Sequence, residues 1–424
     1  MSIHYTILSI CSVIYFLDSL SVKNLRRQML IKSNPEKLWS KDFLLIFLIT
    51  FLMFFAFQFY LPTLALFTKK LGEKSSLVGI VSGVFTVTAL LMRIFSGGLL
   101  DTHGRKKIFI LGFITFMLSK ISYMFATSMA ILILVRLFHG FSWGIISTAS
   151  NTVATDVIPK SRLSEGTGFL FVATTSSLMV SPSLGLKIVD EFGFNWMFLI
   201  SALIIFASMF LVFPINYRKD ENEIIKKKSK FDFFEIEASI PSLIILLLNF
   251  GYSTVITFLS LYTLQYDIKN SGIFFTAYSI AMIITRLLFG RVGDRKGFNY
   301  VMIPGMLIVI IGGLFLYLTN NIFLLIVSGA LYGAGFGVVI PTTQAMAVMN
   351  VGYNRRGAAN ATFFAGLDAG IGAGSVFWGF VANSFGLKMI YFFALIPMIL
   401  AFLIYLFVSP KYRKLETKFY ESSV

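Results

Sequence analysis

The sequence predicts an all-α membrane protein with twelve transmembrane helices in two parallel six-helix repeats. Three observations predict this class: an apolar composition, a series of apolar runs long enough to cross a bilayer, and an internal repeat. Of the 424 residues, 57% are hydrophobic and 13% are charged, and the mean hydropathy is +0.82. A soluble domain is about 45–50% apolar and roughly a quarter charged. The composition therefore excludes a cytosolic enzyme, a disordered chain and a secreted disulfide scaffold.

The apolar runs supply the twelve helices. A helix needs about 20 apolar residues to span a bilayer, and the runs lack the alternation of apolar and polar residues that barrel strands show. The chain has a single cysteine, Cys11, so it forms no internal disulfide. The predicted spans are 43–67, 76–97, 107–127, 130–152, 166–188, 195–215, 239–263, 271–291, 300–318, 322–346, 358–384 and 389–409.

The basic residues indicate the orientation of the chain. The formal net charge is +16, from 36 basic and 20 acidic residues. In a soluble protein this excess would indicate nucleic-acid binding, but here the basic residues concentrate in alternate connections between spans. Lys and Arg accumulate in the cytoplasmic loops of membrane proteins. The distribution therefore predicts that both ends of the twelve-helix body are cytoplasmic and that nucleic acid is not a partner.

Polar segments divide the chain into five parts. Residues 5–17 are apolar but short for a span, and three alternatives stay open for residues 1–28: a thirteenth helix, an interfacial helix, or an upstream extension of the reading frame before Met29. The central linker, with a lysine run at 226–228, is either a solvated connection or a contact for lipid headgroups. The parts are an N-terminal extension at 1–41, an N-terminal six-helix half at 42–215, a cytoplasmic linker at 216–238, a C-terminal six-helix half at 239–410 and a cytoplasmic tail at 411–424.

The two halves repeat the same pattern of residues. A constant separation of 193 residues relates glycines, arginines and acids of the first half to the same residue types in the second. One separation held over so long a stretch indicates a duplication, and it predicts two parallel repeats related by an axis along the membrane normal. The matching pairs include Gly79 and Gly272, Arg93 and Arg286, Gly97 and Gly290, Asp101 and Asp294, Gly104 and Gly297, Gly140 and Gly333, and Gly193 and Gly386.

The connection between the second and third spans carries the most specific motif. It runs from Gly97 through Asp101 and Gly104 to Lys107, and its counterpart in the second half runs from Gly290 to Gly297. Both segments resemble the loop signature of the major facilitator superfamily, Gly-x-x-x-Asp-Arg-x-Gly-Arg-Arg/Lys, although Thr102 stands where the family usually has Arg. The resemblance covers residues 40–410 and implies the major facilitator fold.

The resemblance also implies a conformational latch at this loop. Asp101 would brace the end of the eleventh helix and Arg105 would reach Asp156, which would hold an outward-facing state; alternatively, Arg105 to Lys107 only enforce topology. The residues of the implied latch are Gly97, Asp101, Gly104, Arg105, Asp156, Gly290, Asp294, Arg295 and Gly297.

Ionisable residues inside the spans are candidates for proton coupling. Arg136 and His139 lie in the fourth span in a pattern that resembles the Arg-x-x-Gln-Gly motif of proton-coupled members, with His139 in place of the Gln. Histidine titrates near neutral pH, so His139 either carries a proton or acts as a neutral hydrogen-bonding group. Lys120 is a further cation in the third span.

Pro182 and Gly185 in the fifth span match part of the family's antiporter signature, and tight helix packing is the alternative interpretation of that span.

Asp368 in the eleventh span is the clearest acid within the membrane. Such a residue indicates a functional site by default, and Asp368 would accept the coupling proton or pair with a cationic substrate; alternatively, it would pair structurally with Arg136 or Lys120. Polar and aromatic residues of other spans are candidates for lining a substrate cavity between the halves. These residues are Gln58, Tyr60, Trp143, Asn151, Tyr252, Gln344 and Phe364.

Taken with the resemblance, the sequence predicts a secondary active transporter that works by alternating access. The favoured activity is proton-coupled efflux of a small amphipathic compound or drug; the alternatives are proton-coupled transport of a sugar or organic-anion metabolite and, below that, a lipid flippase. Nucleotide-loop and zinc-protease motifs are absent, so no enzyme activity, cofactor or metal is expected. The expected partners are a small-molecule substrate, protons and the lipid bilayer. The expected form is a monomer that crosses a bacterial plasma membrane many times.

Overall fold

A computed structural model describes residues 37–71, 74–159, 162–217, 235–268, 270–349, 351 and 355–421. Most of the predicted N-terminal extension, the lysine run at 226–228 and the end of the tail lie outside these residues. The alternatives for residues 1–28 and for the linker therefore remain predictions.

Twelve membrane-crossing segments account for nearly all of the described chain. Eleven of them are long and apolar enough to cross a membrane, and the twelfth, Phe194–Phe210, is an apolar helix of 17 residues. The predicted all-α fold class is confirmed. The helices are α1 Lys41–Lys70, α2 Ser75–His103, α3 Arg105–Ser122, α4 Met129–Val157, α5 Leu163–Phe192, α6 Phe194–Phe210, α7 Ser239–Gln265, α8 Gly272–Lys296, α9 Asn299–Tyr317, α10 Ile322–Met349, α11 Arg356–Phe385, α12 Leu387–Phe393 and α13 Leu395–Glu421.

The last predicted span is interrupted rather than continuous. α12 ends at Phe393 and α13 begins at Leu395, so the twelfth crossing consists of α12 and the first part of α13. Pro397 explains the interruption, because proline has no N–H to bond the carbonyl group of residue 393 and its ring crowds that position.

The two halves share one pattern of helix packing. In the first half α2 packs on α4, α3 on α4 and α1 on α5; in the second half α8 packs on α10, α9 on α10 and α7 on α11. The turns match as well: Gly104 and Gly297 have φ angles of 86° and 99°, and Gly193 and Gly386 have 85° each. These angles lie in the left-handed region that glycine enters without steric cost. The geometry agrees with a duplication into two six-helix repeats.

The halves meet along three pairs of helices: α1 with α7, α2 with α11, and α5 with α8. We call the membrane face where α1 begins and α13 leaves the bundle the terminal face, and the other the opposite face. Near the opposite face the halves approach very closely. A Cβ atom added to Gly79 would lie 2.2 Å from the carbonyl oxygen of Ser375, and one added to Gly272 would lie 2.5 Å from the Cα of Ser183.

The central helices α4 and α10 are arranged differently. Within the described residues, neither has a packed interface with the other half. Asn151, near the terminal-face end of α4, is exposed, and Phe364 on α11 is 40% exposed. The halves are therefore in close contact near the opposite face, whereas Asn151 and Phe364 are exposed towards the terminal face.

Gly333→Ala should destabilise the protein, because the added carbon would lie 1.9 Å from the carbonyl oxygen of Tyr278 on α8. Overpacking of this kind costs about 1–3 kcal/mol, so we expect a lower thermal midpoint when unfolding in detergent is followed by size-exclusion chromatography. Gly168→Ala is the control, because nothing lies within 4 Å of its added carbon and alanine is the better helix former. Equal midpoints for the two variants would contradict the close packing of α8 on α10.

Candidate transport site

An ion pair joins the two halves within the membrane. Nη1 of Arg93 on α2 lies 2.6 Å from Oδ2 of Asp368 on α11, and both side chains are partly exposed, at 33% and 25%. Asp368 therefore pairs with Arg93 and not with Arg136 or Lys120, the two cations considered from the sequence. From the repeat, Arg93 is recognisable only as the partner of Arg286. Its place in the second span was the available signal, because an arginine inside a span needs a partner.

Three of the predicted cavity residues lie on α11 and on the central helices α4 and α10. Phe364 lies one helical turn before Asp368 on α11. Asn151 on α4 and Gln344 on α10 occupy equivalent positions in the repeats, and the Gln344 amide donates to Oδ1 of Asn360 at 3.0 Å. These predicted cavity residues lie on helices that face the space between the halves.

Arg286 on α8 is the repeat partner of Arg93, and its surroundings are different. Its guanidinium carbon lies 3.6 Å from the centroid of the Phe171 ring on α5. The contact crosses from one half to the other, as the Arg93–Asp368 pair does. Within the described residues, Arg286 forms no ion pair.

A second group of ionisable side chains lies buried inside the N-terminal half. We call it the N-half cluster: Tyr60 on α1, Lys120 on α3, Tyr123 in the short 3₁₀ turn after α3, and Arg136 and His139 on α4. All five side chains are no more than 1% exposed. The cluster brings together the three N-half residues that the sequence predicted for coupling, and it adds the hydroxyl groups of Tyr60 and Tyr123.

His139 is the centre of the N-half cluster. Its Nε2 lies 2.8 Å from Nζ of Lys120, and its Nδ1 lies 2.8 Å from the Tyr123 hydroxyl and 3.0 Å from the Tyr60 hydroxyl. Arg136 donates from Nε to the carbonyl oxygen of Val81 at 2.7 Å and from Nη1 to the Tyr123 hydroxyl at 3.2 Å. Every ring nitrogen of His139 therefore has a polar partner.

The cations of the N-half cluster are stabilised by aromatic rings rather than by acids. Nζ of Lys120 lies 3.9 Å from the Tyr60 ring centroid and 4.2 Å from that of Phe116, and the Arg136 guanidinium lies 4.4 Å from that of Phe85. In the described part of the chain, no carboxylate pairs with Lys120 or Arg136. Cation–π contacts contribute most where water is excluded, which is the situation here.

The C-terminal half has an aromatic group at the equivalent place. Tyr252, predicted as a cavity residue, lies 5.6 Å from Tyr278, 5.7 Å from Tyr332 and 5.0 Å from Phe336 between ring centroids. Tyr332 corresponds in the repeat to His139. The two halves therefore keep the same scaffold and differ in the chemistry at its centre.

The remaining predicted cavity residues belong to the interior of the N-terminal half. Trp143 is 6% exposed and stacks on Phe57 at 4.1 Å between centroids. Oε1 of Gln58 accepts a hydrogen bond of 3.2 Å from the Ser177 hydroxyl on α5. Tyr60 belongs to the N-half cluster. Trp143 and Tyr60 are buried, whereas Asn151 and Phe364 are exposed.

The loop between α2 and α3 brings two of the implied latch residues together. Arg105, the first residue of α3, makes an ion pair with Asp156 near the end of α4. Gly104 and Gly297 form the turns after α2 and α8, Gly97 has open space around it, and Gly290 lies on α8. The side chains of Asp101, Asp294 and Arg295 are outside what the structure describes.

The second half has a terminal-face ion pair that was not predicted from the sequence. Nε of Arg355 lies 2.5 Å from Oε2 of Glu235, which precedes α7. The repeat offered a signal, because Arg355 and Arg162 are related by the same 193-residue separation as the other pairs. Arg162 instead bonds Glu165 at 2.8 Å.

The described structure has a cavity that lies apart from the predicted site residues. A cavity of about 530 Å³ lies near the opposite face, where Leu66, Ser183 and Asp267 are among its lining residues, and it contains none of the predicted site residues. Among the described residues, no group of three or more histidines, cysteines or acids is placed to hold a metal ion.

Two related six-helix halves, with ionisable groups between and within them, form the architecture of a secondary transporter. The sequence model of the Major Facilitator Superfamily matches residues 46–274 and again 242–421. The chain belongs to this superfamily, and it is a multi-pass membrane transporter rather than an enzyme.

Individual relatives agree with this assignment. MJ1560, an uncharacterized MFS-type transporter of Methanocaldococcus jannaschii, is 25% identical over 371 residues, covering 84% of this chain and 95% of the relative. The multidrug resistance protein MdtG of Salmonella arizonae is 25% identical over 331 residues, covering 74% and 81%. The crystal structure of the nucleoside transporter NupG superposes with a TM-score of 0.69 at 16% identity, covering 85% and 98%, and supports the fold.

Lys120→Met should leave the protein folded and at least as stable as the wild type. Lys120 has no carboxylate partner in the described part of the chain, so an apolar side chain of similar length removes the cost of burying its charge. The thermal midpoint in detergent measures this, with Lys107→Met on the exposed face of the same helix as control. A clear fall in the midpoint for Lys120→Met alone would mean that Lys120 serves structure through its bond to His139.

Proposed function

We propose that the protein is a proton-coupled exporter of small amphipathic compounds that works by alternating access. The Arg93–Asp368 ion pair carries the proposal, because it places a protonatable carboxylate in a contact that joins the two halves. The name of the relative MdtG, a multidrug resistance protein, supports the substrate class. We assign the membrane to the bacterial plasma membrane and the terminal face to the cytoplasm, where the basic loops lie.

Protonation of Asp368 would break the inter-half ion pair. The neutral acid would no longer compensate Arg93, so the contact between α2 and α11 would weaken and the halves could rock apart. A hydrogen bond to a charged group contributes about 1.5–3 kcal/mol. One proton moving down 100 mV supplies about 2.3 kcal/mol. The energy available from one proton is therefore of the size needed to open the contact.

The N-half cluster offers a second place for a proton. A hydrogen bond between Lys120 and His139 requires one of the two nitrogens to accept, so the pair cannot keep this bond when both groups are protonated. A consistent arrangement has Lys120 donating to Nε2 while Nδ1–H of a neutral His139 donates to Tyr123. A second proton would have to separate Lys120 from His139. Because Lys120 lies on α3 and His139 on α4, this change in protonation would move α3 relative to α4.

Side chains exposed towards the terminal face suit loading of substrate from the cytoplasm. In our assignment the terminal face is cytoplasmic, and the cytoplasm is where an exporter takes up its substrate. Phe364 and Asn151 offer an apolar surface and a hydrogen-bonding group on opposite halves. This combination fits an amphipathic compound better than a purely polar one.

We assign the latch role to the α2–α3 loop. Arg105 and Asp156 belong to the same half, so their ion pair orients the loop and remains intact while the halves move. In the outward-facing state, Asp101 would make the contact between the halves.

Transport of an organic anion is the second candidate function, and Arg286, which lacks an acidic partner in the described chain, favours it.

Asp368→Asn should abolish transport driven by a pH gradient, because asparagine neither binds nor releases a proton. Purified protein in liposomes with an imposed gradient and a panel of fluorescent amphipathic dyes measures this, and we expect at least about a tenfold loss of flux, which corresponds to about 1.4 kcal/mol. Exchange of dye across the membrane without a gradient should persist, since it requires no net proton movement.

Asp190→Asn, which changes an exposed acid at the opposite-face end of α5, is the control and should transport normally. Gradient-driven flux at the wild-type level in Asp368→Asn, with normal expression, would remove Asp368 from the coupling mechanism. Loss of both gradient-driven flux and exchange would assign Asp368 to substrate binding or to the movement itself.

A further inference from the structure

The two repeats make equivalent contacts between the halves with different chemistry. Arg93 and Arg286 are related by the repeat, and each lies at a contact between halves. The position equivalent to Asp368 is Thr175, and the position equivalent to Phe364 is Phe171. Arg93 therefore pairs with an acid. The corresponding positions near Arg286 hold a phenylalanine and a threonine, neither of which carries a charge.

The two arginines have different neighbours because only the Arg93 contact contains an acid. Arg93 extends to Asp368, which leaves Phe364 40% exposed, while the Arg286 guanidinium lies on the Phe171 ring. Thr175 is 4% exposed, and its hydroxyl donates to the carbonyl oxygen of Phe171 at 2.9 Å, so the hydroxyl is engaged within its own helix. In the described structure, nothing neutralises the charge of Arg286.

We infer that Arg286 and Phe171 form a subsite for the anionic group of an amphipathic substrate. Stacking occupies the face of the guanidinium plane on the ring, and the N–H donors along its edge stay available in the geometry that binds a carboxylate, sulfonate or phosphate in a bidentate manner. The apolar part of the same substrate would lie along neighbouring aromatic surface. This inference rests on the proposed transport function and specifies the class of its substrate.

The other cations of the bundle are not available for this role. Arg93 is already bound to Asp368. Lys120 and Arg136 are no more than 1% exposed, and their donors are directed to His139, Tyr123 and backbone carbonyl groups. Arg286 is partly exposed, and it lies at the depth of the Arg93–Asp368 pair because the repeat axis runs along the membrane normal.

Two substitutions test the subsite in opposite ways. Arg286→Gln removes the charge. Thr175→Asp places a carboxylate at the position equivalent to Asp368, and this carboxylate would bind Arg286 in place of the anionic group of the substrate. The probes are fluorescein, an anion at neutral pH, and rhodamine 123, a cation with the same fused-ring body. Binding to purified protein is followed by fluorescence polarisation. Both substitutions should weaken fluorescein binding about tenfold or more, and rhodamine 123 binding should be unchanged or stronger.

Arg286→Lys is the matched control. It keeps the charge but loses the planar fork, so it should retain part of the fluorescein affinity. The thermal midpoint of each variant reports whether it is folded. If Arg286→Gln fails to fold, Arg286→Lys still tests the subsite. Fluorescein affinity that is the same in the wild type, Arg286→Gln and Thr175→Asp, or that is absent in the wild type, would overturn the subsite.

The flux assay separates this inference from the proposed function. Fluorescein binding that depends on Arg286, without gradient-driven flux of either dye, would support the subsite and contradict proton-driven export. Gradient-driven flux of rhodamine 123, without Arg286-dependent binding of fluorescein, would support export and overturn the subsite.

Discussion

The compensation of charge inside the membrane is the constraint on which the rest of the structure depends. Each cation held at the centre of a membrane helix costs roughly 2.5–3.5 kcal/mol on insertion scales. Arg93 meets a carboxylate across the boundary between the halves, while Arg286 lies on an aromatic ring at the equivalent boundary. Lys120 and Arg136 are held inside one half by an imidazole, hydroxyl groups and ring faces. In the proposed mechanism, the positions of these four cations determine where a proton or an anion would bind.

The duplication has preserved the scaffold and changed its chemistry. Gly140 and Gly333 make the same close approaches, the first to the carbonyl oxygen of Phe85 and the second to that of its repeat partner Tyr278. One residue before each glycine, the first half has His139 and the second has Tyr332. Histidine titrates near neutral pH and tyrosine does not. The first half therefore contributes the cluster of cations and imidazole, and the second contributes the acid, Asp368.

The sequence predicted the fold well, because periodic apolar runs and a constant repeat separation are local or regular signals. It also singled out Lys120, Arg136 and His139, which the structure brings together in the N-half cluster, since an ionisable residue inside a span is conspicuous by itself. It could not predict that Arg93 meets Asp368, because the two residues are 275 positions apart and their contact depends on how the halves dock. Tyr123 was missed for another reason: a tyrosine at the end of a span is typical of the membrane interface, and only the packing of α3 against α4 directs it inward.

The glycine turns connect the transport movement to the lipid around the protein. A single residue, Gly193, separates α5 from α6, and Gly386 separates α11 from α12 in the same way. Connections this short cannot absorb a displacement. In the proposed movement α5 and α11, which lie at the boundary between the halves, would therefore carry α6 and α12 with them. Leu203 and Phe210 on α6 are each 55% exposed on its apolar surface. In the proposed rocking movement, each cycle would displace acyl chains, and the thickness and lateral pressure of the bilayer would enter the energetics of transport.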